Sequence, residues 1–194
     1  MWVQQQLQIQ GDVRAATAAL IDLHSHGAGR PKFVGMAKKA LVTAAIRVLR
    51  DAGIGYTEHT YEYIESGGAA AGADQLGLDP HRVIKTLIVE TDGGEPACVL
   101  MHGDREVSLK GLGRQIGSKS TVMADPSRAQ RHSGYQVGGT SPFGLRTNMP
   151  VFCERSITEF DSIVINGGKR GFLIEVAMQD LIDLLEPTMV DVAI

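Results

Sequence analysis

No apolar run in these 194 residues approaches the roughly 20 that a membrane-spanning helix needs. The opening stretch, MWVQQQLQIQGDVRAA, has no basic segment followed by an apolar core, so it does not read as a secretory signal. There are two cysteines, Cys98 and Cys153, far apart and without a C-x-x-C pair. That pattern fits a reduced, cytoplasmic compartment with both thiols as small core residues. His24, His26, His59, His81, His102 and His132 are scattered, with no H-E-x-x-H and no Cys/His pairing, so a metal centre has little support. Ser141 has no G-x-S-x-G context, which argues against a nucleophile elbow. Aromatic residues are sparse, and there are no repeats and no low-complexity segments.

What is present is ordinary for a water-soluble globular chain: 43% hydrophobic and 21% charged residues. The length suffices for one well-cored domain plus an extension. The formal net charge is −3, yet from Arg105 to Arg170 ten Lys and Arg face five acids, a local surplus of five positive charges. The tail beyond Arg170 has five acids and no Lys or Arg. Such asymmetry can make one face attractive to phosphates. Read on charge alone, an unevenly charged solvated surface is the commoner case.

Residues 12–26 look helical, with Asp12 as N-cap and Gly27 as stop. Residues 27–35 read as a linker. A second helix is expected from Met36, closed by Gly53. The expected organisation is an extension over 1–35 and a domain over 36–194. YTEHTYEY, from Tyr56, alternates like a strand, and GGAAAGADQLG (67–77) reads as a Gly/Ala loop entering a short helix. RVIKTLIVE (82–90) and ACVLMHG (97–103) read as strands joined by a hairpin-type turn. Helices are expected over 108–117, 125–134 and at MQDLIDLLE, and strands at MPVFCE, SIVING and FLIEVA. Short turns, interspersed helices and no regular βαβ rhythm predict an α+β domain around a mixed, mostly antiparallel sheet.

Lys85 stands among the apolar residues of RVIKTLIVE. Burying an unpaired ammonium costs several kcal/mol, so the amine must reach water, find a carboxylate or line a cavity. The alternatives are an edge-strand lysine extended into solvent and a cleft lysine that donates to a ligand oxygen or phosphate. VGGTSPFG (137–144) lets the backbone approach a ligand closely or simply makes a turn. NGGKRG (166–171) puts two cations on a glycine turn without the spacing of a Walker loop.

Taken in order, HTY (59–61), VIKTLIV (83–89), MADPSRAQRHSGYQVGGTSPFG (123–144) and INGGKRG (165–171) resemble the YbaK/EbsC group of the prolyl-tRNA editing family of aminoacyl-tRNA deacylases. The likeness runs from about Met36 to the C-terminus. It implies a barrel-like mixed sheet with surrounding helices, no metal or organic cofactor, and removal of the wrong amino acid from mischarged tRNA, Cys from tRNA(Pro) in the YbaK type. It implies catalytic positions at Lys85 and Gly138. Tyr61, Thr86, Gly139, Thr140, Ser141, Pro142, Asn166, Gly167 and Leu173 would contact substrate, and Lys169, Arg170 and Arg131 the tRNA phosphates. The substrate thiolate would attack its own ester carbonyl, leaving a thiolactone; without a thiol, a bound water would attack.

The chain departs from the family pattern at GFLIE, where Leu173 replaces the pocket Asp of G-L-D-I-E, and at Asn166, where the family has Ser. Ala, Ser, Thr or a non-protein amino acid therefore stand beside Cys as candidate substrates. A transient complex with prolyl-tRNA synthetase is the expected partnership. Competing readings are a domain that binds tRNA or a synthetase without hydrolysis, and a general small-ester hydrolase.

Overall fold

The computed structural model describes residues 41–65 and 67–194. The expected helix at 12–26, the linker at 27–35 and the boundary at Met36 lie outside the described residues. Helix α1 spans Ala44–Asp51. It starts later than the periodicity predicts because Thr43 caps it, its hydroxyl accepting from Ile46 N at 3.1 Å. The same hydroxyl donates to the Gly167 carbonyl at 2.5 Å, tying the cap to a strand far along the chain.

Strand β1 covers only Thr57–Thr60, and the chain leaves the sheet at Tyr61. In the stretch expected as a Gly/Ala loop entering a short helix, the helix takes nearly all of it: α2 spans Gly68–Leu76 and ends at Gly77 with φ +63. Alanine is the best helix former, and α2 gains a packing partner: the Tyr61 ring lies so close that a Cβ on Gly72 would sit 3.1 Å from it. Then follow β2 (Val83–Thr91), β3 (Pro96–His102), α3 (Leu109–Ile116), β4 (Thr121–Met123) and α4 (Pro126–Ser133). Ser108 caps α3 through its hydroxyl, and Gly117 and Gly134 end α3 and α4 with positive φ. After a long loop come β5 (Val151–Glu154), a 3₁₀ turn (Arg155–Glu159), β6 (Ser162–Lys169), β7 (Phe172–Ala177), α5 (Met178–Leu185) and β8 (Thr188–Val190). The turn expected at GGKRG begins later than the sequence suggests, since β6 runs to Lys169 through a register shift after Asn166. Strands β4 and β8, three residues each, are too short to show a period of two.

The eight strands form one mixed sheet in the order β1-β7-β6-β2-β3-β5-β8, with β4 paired to β2 off this path. Pairings β1/β7, β6/β7, β2/β3 and β2/β4 are antiparallel, and β2/β6, β3/β5 and β5/β8 are parallel. This is an α+β fold. Both faces are covered. Ile84, Ile88, Leu100, Ile163, Ile165 and Ile174 pack on one side with Ile46 and Leu49 of α1 and Leu181 of α5. On the other side Val89, Val99 and Met101 meet Leu112 of α3, while Val83, Val164 and Leu173 meet Ala73 of α2. The alternation along β2 assigns Ile84 and Ile88 to the first face and Val83 and Val89 to the second.

Candidate functional site

Strand β2 is central, not an edge, which removes the solvent-extended edge lysine as the account of Lys85. One side of β2 nevertheless has a gap. It pairs with β6 only at Val83 and Ile84, and with β4 only from Val89 to Thr91. Ala124 N donates to the Ile88 carbonyl at 3.0 Å at the far end of that gap. Strand groups alternate in direction, so the main-chain N–H and C=O of Thr86 point the same way as those of Ile88, into the gap. The Thr86 hydroxyl is buried and has no hydrogen-bond partner among the described residues.

A cavity of about 340 Å³ opens there. Its wall is β2 from Val83 to Ile88, joined by Tyr61 and Tyr63 after β1, Met123 and Ala124 near β4, Gly138 and Thr140 of the loop, and Asn166 and Leu173 of the β6–β7 hairpin. Lys85 is half-buried on this wall. Burial holds its amine below the usual lysine range, partly opposed by the charges of Glu106 and Asp104. No described carboxylate forms an ion pair with it. A cation so placed is available to an incoming oxygen. Burial also raises the Tyr61 hydroxyl pKa, keeping it a neutral donor.

The loop that carries Gly138 is built to stay in place. Gly139 N donates to the Gln136 carbonyl at 2.8 Å, closing a turn in which Gly138 takes φ +84. A Cβ on Gly139 would lie 2.8 Å from Arg170 N and 3.0 Å from the Lys169 carbonyl carbon. Only glycine lets these two backbones meet. Asn166 spans the junction: its Nδ2 donates to the Gly138 carbonyl at 3.2 Å, and its Oδ1 accepts from Gly168 N and Lys169 N at 2.8 and 3.1 Å. Behind the loop, the Tyr135 hydroxyl donates to the Phe143 carbonyl at 2.6 Å, and burial pushes its pKa up to about 12.

The structure thus brings Lys85, Thr86, Tyr61, Gly138, Thr140, Asn166 and Leu173 to one cavity. It does not bring Gly139, Ser141, Pro142 or Gly167 to the lining. Gly139 packs under the loop, Ser141 is fully buried and its hydroxyl accepts from Phe143 N, and Pro142 is buried. Gly167 is buried where a Cβ would strike the Phe172 ring. These four support the site without facing it. Arg170 stands at the rim, Lys169 is exposed on the same hairpin, and Arg131 is exposed on the last turn of α4, away from the lining. Tyr63, Met123 and Val137 line the cavity without having been singled out from the sequence. Tyr63 had a signal, since it follows Tyr61 by two residues in HTYEY.

An aminoacyl-tRNA editing domain model matches residues 66–184, more than half of the chain. The chain belongs to the aminoacyl-tRNA editing domain family. Within it, the chain resembles EbsC of Enterococcus faecalis, whose name proposes a Cys-tRNA(Pro)/Cys-tRNA(Cys) deacylase, at 29% identity over 77% of this chain and 93% of the relative. A proline–tRNA ligase of Moorella thermoacetica is 32% identical over 50% of this chain, which spans only 17% of the ligase. Among solved structures, the hypothetical protein APE2540 superposes with a TM-score of 0.71 at 21% identity, over 78% of this chain and all of that one. A trans-editing enzyme structure described for prolyl-tRNA synthetase gives 0.68 at 20% identity, over 80% and 99% of the two chains. These two share the fold. The chain is therefore similar both to a protein that it covers almost whole and to a segment of a synthetase.

Proposed function

We propose that this editing domain acts in trans as a deacylase, releasing a mischarged amino acid from tRNA, with Cys on tRNA(Pro) as the first candidate. The observation that carries this reading is the half-buried, unpaired Lys85 in a cavity shared with Tyr61, the Gly138 turn and the free Thr86 hydroxyl. Lys85 would hold the acceptor end by charge. The Gly138 turn would set the ester carbonyl against the open edge of β2, where the Thr86 main chain can pair with it. Holding ester and nucleophile in register supplies much of the rate without a protein nucleophile. With a cysteinyl ester the substrate thiolate attacks the carbonyl carbon, the bond to the ribose oxygen breaks, and that oxygen takes a proton. With any other side chain a bound water attacks.

Leu173 favours a second reading of substrate choice. It is buried with Val83, Val164 and Ala73, so this position is apolar and uncharged. Such a wall separates Cys from Ala, Ser or Thr only weakly, because a hydrophobic pocket discriminates near-isosteres poorly. The cellular setting proposed is the cytoplasm, beside prolyl-tRNA synthetase. Among the described residues no helix is long and apolar enough to cross a membrane.

The test is to incubate the protein with tRNA(Pro) charged in turn with Cys, Ala, Ser and Pro, beside Lys85→Ala. Loss of Cys alone, abolished by Lys85→Ala, supports the first reading. Loss of Ala or Ser assigns specificity to the apolar wall and requires water as nucleophile. No turnover of any of the four would overturn editing of these substrates and favour a binding role.

A further inference from the structure

We propose that Tyr63 is a stacking platform for the terminal nucleobase of the acceptor end, which rests on the proposed editing function but concerns a different part of the substrate. Tyr63 lies beyond β1 and lines the cavity beside Gly138, its hydroxyl only 2.6 Å from where a Gly138 Cβ would sit. The guanidinium carbon of Arg170 stands 4.7 Å from the ring centroid. Arg170 is itself fixed, since its Nε donates to the Val137 carbonyl at 2.8 Å. Three chain segments, the one after β1, the Gly138 turn and the β6–β7 hairpin, therefore hold one aromatic ring in a set orientation. A pre-organised ring loses little freedom when a ligand stacks on it.

The surroundings point to a base rather than to more protein. The cavity of about 340 Å³ falls in the range of small-molecule sites, so it has space for more than a small aminoacyl group. Two of the lining residues, Val137 and Met123, are 43% and 46% exposed, so the cavity wall carries apolar surface open to a ligand. No described carboxylate pairs with Arg170 or the exposed Lys169 on the same hairpin. Glu65 also lines the cavity, without an ion pair to Arg170. An aromatic ring beside an arginine free of a described carboxylate is the arrangement that takes an unpaired base by its π-face and the adjoining phosphate by charge. The substrate offers such a base, since the nucleoside that carries the ester is at the single-stranded end of tRNA.

The experiment uses an uncharged acceptor-stem minihelix ending in 2-aminopurine, whose fluorescence falls when the base stacks. Wild type and Tyr63→Phe are expected to quench it. Tyr63→Leu is expected to lose the quench and to weaken binding on the order of tenfold. Arg170→Gln, a milder variant, is expected to weaken the quench and reduce its salt dependence. No quench with wild type, or equal quench with Tyr63→Leu, overturns the platform. Turnover of charged tRNA is read separately, so an active enzyme without quench refutes the platform alone. Quench without turnover of any of the four charged tRNAs leaves the platform standing and overturns editing of those substrates.

Discussion

Replacing Lys85 by Met separates what this lysine does for the fold from what it does for a ligand. The two side chains are similar in length, so the cavity wall keeps its shape. The amine is half-buried, without an ion pair among the described residues, and held below the ordinary value of 10.5 by burial. The folded state therefore binds this proton less tightly than the unfolded chain does. Lys85→Met removes that cost. Because the group keeps part of its water contact, the gain in stability lies between zero and about 1 kcal/mol. The gain is full at neutral pH, where both states of wild type are charged, and shrinks as pH rises through the lowered pKa toward 10.5. Activity moves the other way. A charged contact to a ligand is worth roughly 1.5–3 kcal/mol, so kcat/KM should fall about 10- to 150-fold. Urea unfolding at pH 7 and 10, with single-turnover deacylation on the same preparations, reads both effects. A variant that loses more than about 1 kcal/mol of stability, or keeps its kcat/KM, refutes the assignment of Lys85 to substrate.

Three further outcomes follow from the site and its supports. Gly139→Ala places a Cβ against the backbone of Lys169 and Arg170, so it should cost about 1–3 kcal/mol in urea unfolding and lower kcat/KM by displacing the Gly138 turn. Thr86→Val removes a hydroxyl that has no partner among the described residues, so urea unfolding should show stability unchanged or slightly raised while kcat/KM drops about 5- to 10-fold. Glu175 is pushed up by burial but held below its usual 4.5 overall by Ser162, Arg82 and His59. Its contribution is present above pH 4.5 and lost as pH falls through the lowered pKa, so urea midpoints of wild type and Glu175→Gln should converge in acid.

Local pattern carried a good part of this molecule. The period-2 run at 83–89 gave β2 and the two faces of Lys85 and Ile84, and the TDGGEP turn gave its pairing with β3. Ser108 with Gly117, and Pro126 with Gly134, bounded α3 and α4 through capping chemistry that acts within a few residues. The motif order alone marked the family and seven of the residues that line the cavity, including Leu173 and Gly138.

What the chain's own periodicity could not express is who sits beside whom. The Gly/Ala stretch became α2 because Ala73 and Gly72 found partners on the sheet and on Tyr61. Asn166 lines the cavity, and both ends of its amide also hold the backbone of the loop and the hairpin, across 28 residues in sequence, which no local pattern shows. The gap along β2 exists only because β6 stops pairing at Ile84 and β4 starts at Val89. Sequence determined that Lys85 lies in a strand, since side-chain alternation is a local property. Tertiary structure decided that the strand is central and its edge open, since those facts depend on pairings between distant segments.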